Sequence, residues 1–247
     1  MSDSLVMIGR SLRLTRRQVD ALVTSLMMPI MLMLVFVYLF GGAISVNGPY
    51  VQYVVPGVIM LCAAFGSALT AVGVCTDMTT GIIDRFRSMD VPGASLLGGH
   101  VAASVVRNAV SAVLVFAVAF AVGFRPHASL AGWAGAVGLL LGFIIAISWL
   151  AAVAGLAAKT PEAANGFTFI AMFLPYASSA FVPISTMPSW LRGFAKHQPS
   201  TPIIETIRGA LLGQPIGSSG WIAVAWCLGI LAVSVMLATV IFKRRIR

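Results

Sequence analysis

The chain has 247 residues, 59% of them hydrophobic and 9% charged, with a mean hydropathy of +0.98, which excludes a soluble domain with an ordinary polar surface. Its net charge of +9 does not point to nucleic acid, because basic and aromatic residues are not interleaved in the way that grips bases; topology signals and anionic lipid explain the excess more simply. Cys62, Cys75 and Cys227 lie in or beside apolar segments without metal-ligand spacing and read as buried thiols, and the first apolar segment is too long for a cleavable signal peptide.

Residues 4–17 place Leu5, Ile8 and Leu12 on one helical face and Arg10, Arg13 and Arg17 roughly opposite. That is the pattern of an elbow helix lying in the membrane interface, with a basic tail that only sets topology as the alternative. The 56 residues between Asp20 and Asp77 carry no formal charge. They have room for two spans of about 20 residues each, 21–42 and 53–75, divided by Asn47-Gly48-Pro49. Tyr50 and Tyr53 suit an aromatic belt beside that turn. Met27, Met28, Met31 and Met33 fit flexible core packing as well as they fit a drug-binding stripe.

Residues 77–92 form a polar island with five charges, Asp77, Asp84, Arg85, Arg87 and Asp90. Ile82, Ile83, Phe86 and Met89 recur at three- and four-residue spacing, with Asp84, Arg85, Arg87 and Ser88 on the other side. Residues 81–90 therefore read as an amphipathic helix of about two turns between Gly81 and Pro92, needing either the bilayer surface or a partner protein to lie against.

A third span is expected at 102–124, with Arg107 near its start, and Arg125-Pro126-His127 as the next turn. The fourth, 130–157, carries Gly138, Gly142 and Ala146 on a small-residue face that brings a neighbouring helix close. Lys159-Thr160-Pro161-Glu162 leads into the fifth, 163–184, where Phe169, Phe173 and Tyr176 fall at helical spacing. Ordinary packing is the simpler reading of that stripe and a substrate path the alternative.

Residues 187–213 hold Pro188, Pro199 and Pro202 with Arg192, Lys196, Glu205 and Arg208, and cannot form a regular span. Two short helices fit, one starting at Pro188 behind Thr186 or Met187, the other at Pro202 behind Thr201. Ile203, Ile207 and Leu211 give the second an apolar side, Glu205 and Arg208 can pair across one turn, and the whole reads as a re-entrant hairpin. The sixth span, 220–242, is stopped by the basic run from Lys243 to Arg247.

Counting Lys and Arg on alternate sides gives twelve against four. This places both termini, the elbow and the 81–90 helix in the cytoplasm, and the hairpin outside. No formal charge is expected in the middle of any span, which weakens an ion-coupled carrier. A HExxH pair, a GxSxG elbow and an ion-filter ring are absent, and none of the lysines follows a GxxxxG loop. The chain is not expected to be an enzyme by itself; if it pumps, its motor is another protein.

The run Gly81-Ile82-Ile83-Asp84-Arg85-Phe86-Arg87-Ser88-Met89, then Gly98-Gly99-His100, resembles the cytoplasmic coupling segment of ABC-2 type export permeases, in particular the daunorubicin-resistance (DrrB-like) branch. The stretch from Phe181 to Leu191, including Pro183, Met187, Pro188 and Trp190, with His197-Gln198-Pro199-Ser200-Thr201-Pro202 and Arg208-Gly209, is similar to that family's segment before the last span. One departure is Asp90, where the branch usually has proline, with proline only at Pro92; it bears on the exit geometry of the helix, not on the assignment.

The resemblance implies an all-α polytopic membrane protein of six transmembrane helices in the prokaryotic plasma membrane. It implies the permease subunit of an exporter of a hydrophobic or amphipathic small molecule (drug or antibiotic) or lipid. Two permease subunits, identical or different, would work with two cytoplasmic ATPase subunits that hold ATP and Mg, this chain binding no cofactor. Gly81, Ile82, Asp84, Arg85, Phe86, Arg87 and Met89 would form the contact with the ATPase, and Pro188, Trp190, Pro199, Pro202, Glu205 and Arg208 an extracellular gate. Export of a lipid-linked glycan or polymer, and ATP-independent secondary transport, are the alternatives.

Overall fold

The computed structural model describes residues 19–44, 46, 48–80 and 93–245. The expected elbow with Arg10, Arg13 and Arg17, and the 81–90 segment with Gly81, Ile82, Asp84, Arg85, Phe86, Arg87 and Met89, lie outside the described residues. Among the described residues the structure is all-helical. Helix α1 (Val19–Val35) runs on through a π-helical turn, Phe36–Phe40, and is followed by α2 (Tyr50–Thr79), α3 (Gly93–Val122) and α4 (Leu130–Ala157). Two short helices, α5 (Pro161–Asn165) and α6 (Phe167–Tyr176), precede a 3-10 turn, Ile184–Thr186. Then come α7 (Ser189–His197), α8 (Ser200–Leu212) and α9 (Ser219–Arg245).

Four of these are long and apolar enough to cross a membrane: Tyr50–Thr79, Leu96–Val122 within α3, Leu130–Ala157 and Ser219–Arg245. The stretches 21–42 and 163–184, equally apolar in sequence, are not single long helices. The first passes into the π-helical turn, and the second is broken at Gly166 and leaves the helix after Pro175 and Tyr176. Apolar composition tells how readily a stretch leaves water, not whether it stays helical.

Helix α2 is apolar all round and accordingly becomes the central post. Its most apolar stretch is 78% buried, against 17% for α9, and it packs against α1, α3, α4, α5, α6 and α8. Small residues let the neighbours approach: a Cβ on Gly57 would meet Ala180, and one on Gly155 would strike the Ala71 carbonyl. The close approach expected at Gly138 and Gly142 is not made among the described residues, none of which lies within 4 Å of a Cβ built at either. Tyr50, expected in an aromatic belt, is instead buried and donates its hydroxyl to the Phe181 carbonyl at 2.6 Å.

The ends of the helices are tied to one another. Arg245 Nη2 donates to the Ala158 carbonyl at 2.8 Å, a cation placed on the C-terminus of α4. Cys75 Sγ donates to the same carbonyl at 3.7 Å. The C-terminal ends of α2, α4 and α9 thus lie together, while at the other end His127 N donates to the Leu211 carbonyl at 3.0 Å. Replacing Gly155 with valine is expected to cost about 1–3 kcal/mol by overpacking against Ala71. Gly138→Val, in open space, should leave stability unchanged; thermal unfolding of both variants in neutral detergent checks the contrast.

Candidate functional site

Helix α3 carries His100, Ser104, Arg107, Asn108 and Ser111 at three- and four-residue spacing, and that side turns inward. Ser104, Arg107, Asn108 and Ser111 are buried, whereas Val106, Val110, Val113 and Leu114 face outward. A helix surrounded by apolar material buries its polar face, the reverse of the arrangement in water. The polar face meets Gly66, Thr70 and Asp77 of α2 and Ser148 of α4. Arg107 Nη2 donates to the Gly66 carbonyl at 2.8 Å, to Thr70 Oγ1 at 2.9 Å and to Ser104 Oγ at 3.4 Å. Asn108 Nδ2 and Ser148 Oγ both donate to Ser104 Oγ, at 3.3 and 2.8 Å. The Asn108 amide lies where a Cβ on Gly66 would be, so any side chain there would have to displace it.

At one end of this seam His100 Nε2 meets Asp77 Oδ2 at 3.0 Å. Asp77 is eleven residues from Gly66, so the seam runs about 16 Å along α2 from the helix end toward mid-span. Arg107 Nε and Asn108 Oδ1 are buried without a partner. Among the described residues Arg107 has no carboxylate within ion-pair distance; neutral dipoles alone hold it.

Arg107 corrects the expectation that no formal charge falls in the middle of a span. Helix α3 begins at Gly93, which puts Arg107 at its midpoint. A charge at the edge of an apolar run is an interior residue here because Gly66 and Thr70 accept hydrogen bonds from it. The signal that could have found it is the inward polar stripe itself, legible at 100, 104, 107, 108 and 111.

The second polar concentration surrounds the break after α6. Ser178 Oγ donates to the Pro175 carbonyl at 2.5 Å, and Gln198 Nε2 to those of Leu174 and Ala177, both at 2.8 Å. Arg208 Nη2 donates to the Ser179 carbonyl at 2.7 Å, while Ser179 N donates to Thr201 Oγ1 at 3.4 Å. Irregular backbone among apolar segments is tolerated where protein groups satisfy it, and the junction of α7 and α8 supplies them.

Both hairpin helices start with proline at the cap position, Pro188 for α7 and Pro199 for α8. The start expected at Pro202 behind Thr201 is displaced because the Thr201 hydroxyl is used elsewhere, donating to the Ala195 carbonyl at 2.5 Å. Pro202, Ile203, Ile207 and Leu211 are buried; Pro188 and Trp190 are exposed, and Pro199 and Glu205 lie between. Arg208, only 8% exposed, lies 3.7 Å over the Tyr53 ring, and its Nε donates to the Tyr53 carbonyl at 3.0 Å. The expected pairing with Glu205 is not made; backbone carbonyls and the aromatic ring take its place.

The stripe on α6 lies on the outside of the chain. Phe169 and Phe173 are 75% and 59% exposed, and Tyr176 is at the margin of exposure. Phe173 meets Phe194 of α7 with centroids 6.1 Å apart, and Tyr176 stacks on Phe181 at 5.4 Å. Packing among the described residues therefore leaves most of Phe169 and Phe173 uncovered. Among the described residues no group of His, Cys, Asp and Glu is arranged to hold a metal.

Arg107→Met is expected to leave stability unchanged or raise it. It removes a buried charge held by neutral dipoles alone, and the Gly66 carbonyl keeps its partner within α2. If the seam serves transport, activity should fall nonetheless. Thermal unfolding and transport measured on the same preparation test the separation.

The sequence pattern of the ABC-2 type transporter family matches residues 4–212. A relative named "Daunorubicin resistance ABC transporter permease protein DrrB1", from Streptomyces coeruleorubidus, is 29% identical over 201 residues, covering 81% of this chain and 71% of the relative. Relatives named "Probable doxorubicin resistance ABC transporter permease protein DrrC", from two strains of Mycobacterium tuberculosis, are 24% identical over 251 residues, covering 99% of this chain and 89% of theirs. The family match runs through both the seam and the hairpin: the chain belongs to the ABC-2 type transporter family.

Proposed function

We propose that the chain is the transmembrane permease subunit of an ATP-driven exporter that moves a hydrophobic or amphipathic small molecule, or a lipid, by alternating access. The observation that carries this reading is the seam between α2 and α3. These helices enter the 81–92 segment from its two sides, and Asp77–His100 with the Arg107 contacts joins them. A cytoplasmic ATPase gripping that segment through Phe86, Met89 and the charges Asp84, Arg85 and Arg87 would then move the two helices as one body.

Six crossings follow if α1 with its π-helical turn and α5–α6 with residues 177–183 are counted beside the four long helices. The path from Ala158, at one end of the bundle, to Phe181, bonded to Tyr50 at the other, supports this. With Arg107 inside α3, the Lys and Arg count becomes eleven against four, supporting cytoplasmic termini and an outer hairpin that closes the exit. The exposed Phe169 and Phe173 would then line a substrate path completed by a second permease subunit. The names of the relatives favour an amphipathic drug as substrate.

Charge buried in the seam, Arg107 with the Asp77–His100 pair at its end, favours an ion-coupled carrier as a second reading. A guanidinium does not give up its proton, however, no carboxylate lies within ion-pair distance of it among the described residues, and Asp77 sits near the end of α2 and not in mid-span.

Co-purification and reconstitution with a candidate ABC ATPase subunit from the same cell test the proposal. Replacing Phe86 and Arg85 with alanine should lower permease-stimulated ATP hydrolysis about tenfold, the effect of losing roughly 1.4 kcal/mol of coupling, with membrane insertion intact. Unchanged stimulation, or transport that follows an ion gradient without the ATPase, sinks the reading. His100→Ala should weaken stimulation while leaving the ATPase bound, which a pull-down alongside the hydrolysis assay checks.

A further inference from the structure

Beside Arg208, at the end of the bundle where α2 begins, lies a cavity of about 410 Å³. Gln52, Ser185 and Gln214 line it together with Arg208. Pro183, Leu212 and the ring of Tyr53 give it apolar wall. A guanidinium has five N–H donors. Arg208 uses Nε on the Tyr53 carbonyl and one Nη2 proton on that of Ser179, and beyond Tyr53 and Ser179 no described residue accepts from its other donors. The side chain is more than nine-tenths buried, and Glu205, one turn earlier, is outside ion-pair distance.

We propose that this cavity is a binding site for the anionic oxygens of a phosphate or carboxylate carried on an amphiphile. A planar guanidinium, held on two sides by backbone carbonyls and stacked on Tyr53, is preorganised to present its free N–H groups to such a group. The side-chain amides of Gln52 and Gln214 and the Ser185 hydroxyl supply further donors at the wall. The volume falls in the range of small-molecule sites, about 300–1,000 Å³, and exceeds what an inorganic anion fills. The apolar wall offers room for the first carbons of a chain. Nothing in the inference depends on the transport reading.

Calorimetry on the purified chain in neutral detergent, with no ATPase present, provides the test. Decyl phosphate, decanoate, inorganic phosphate and decanol are titrated separately. Decyl phosphate or decanoate should bind saturably at one site, and decanol should not. Arg208→Gln should raise Kd by at least about tenfold. Because that variant also loses the bonds to Tyr53 and Ser179, Ser185→Trp, at an exposed lining position, serves as the second: it should block the cavity at an unchanged thermal midpoint. Binding of inorganic phosphate that both variants abolish supports the anion chemistry with a free anion as its source; binding of the decyl anions alone supports an amphiphile. Binding of decanol equal to decanoate, non-saturable uptake, or wild-type affinity in both variants overturns the proposal.

Discussion

A carbonyl without a donor costs several kcal/mol in hydrocarbon, and this constraint governs the half of the molecule that follows α4. Once the chain leaves the helix at Ala177, its carbonyls at Leu174, Ala177, Ser179 and Phe181 must be met by side chains. Those side chains come from Gln198, Arg208 and Tyr50. The hairpin therefore folds back where it does because the break requires it, and α8 can bury Ile203, Ile207 and Leu211 only in the same docking. Break and hairpin are one structural unit, although a linear reading divides them between a span and an outer loop.

The seam between α2 and α3 answers a different demand. An arginine at the centre of a membrane helix costs about 2.5–3.5 kcal/mol on insertion scales. Hydrogen bonds to a charged donor return about 1.5–3 kcal/mol each, so the two short bonds to Gly66 and Thr70 are enough to hold Arg107 without a counter-ion. What such bonds add over apolar packing is direction. Leucines would let α3 slide on α2, whereas Arg107, Asn108 against Gly66, and His100 on Asp77 fix one register.

Much of this was legible in the sequence. The all-helical membrane class follows from composition, and Leu130–Ala157 stands out because Arg125-Pro126-His127 and Lys159-Thr160-Pro161 bracket it. Prolines at 188, 199 and 202 declare the short helices. What escaped did so for identifiable reasons. The break at Ala177 is signalled only by Pro175, which a membrane helix can also tolerate, and the groups that meet its freed carbonyls, Gln198 and Arg208, lie some twenty to thirty residues away. Arg107 is masked because a charge ordinarily ends an apolar span, even though the polar stripe from His100 to Ser111 has helical period. The pairing of Glu205 with Arg208 failed because local spacing gives opportunity, and the Tyr53 ring and two carbonyls offered a drier and better-shaped partner.

An unmatched cation at the midpoint of α3 also has an electrical consequence. Moving one elementary charge through the whole membrane potential is worth about 2.3 kcal/mol per 100 mV. Any tilt or sliding of α3 that carries Arg107 a quarter of the way along the membrane normal would therefore bias the two end states by about 0.6 kcal/mol per 100 mV. If α3 moves in this way, Arg107, with no carboxylate within ion-pair distance among the described residues, would carry its charge through the field, and the membrane potential would then enter the balance between the two end states.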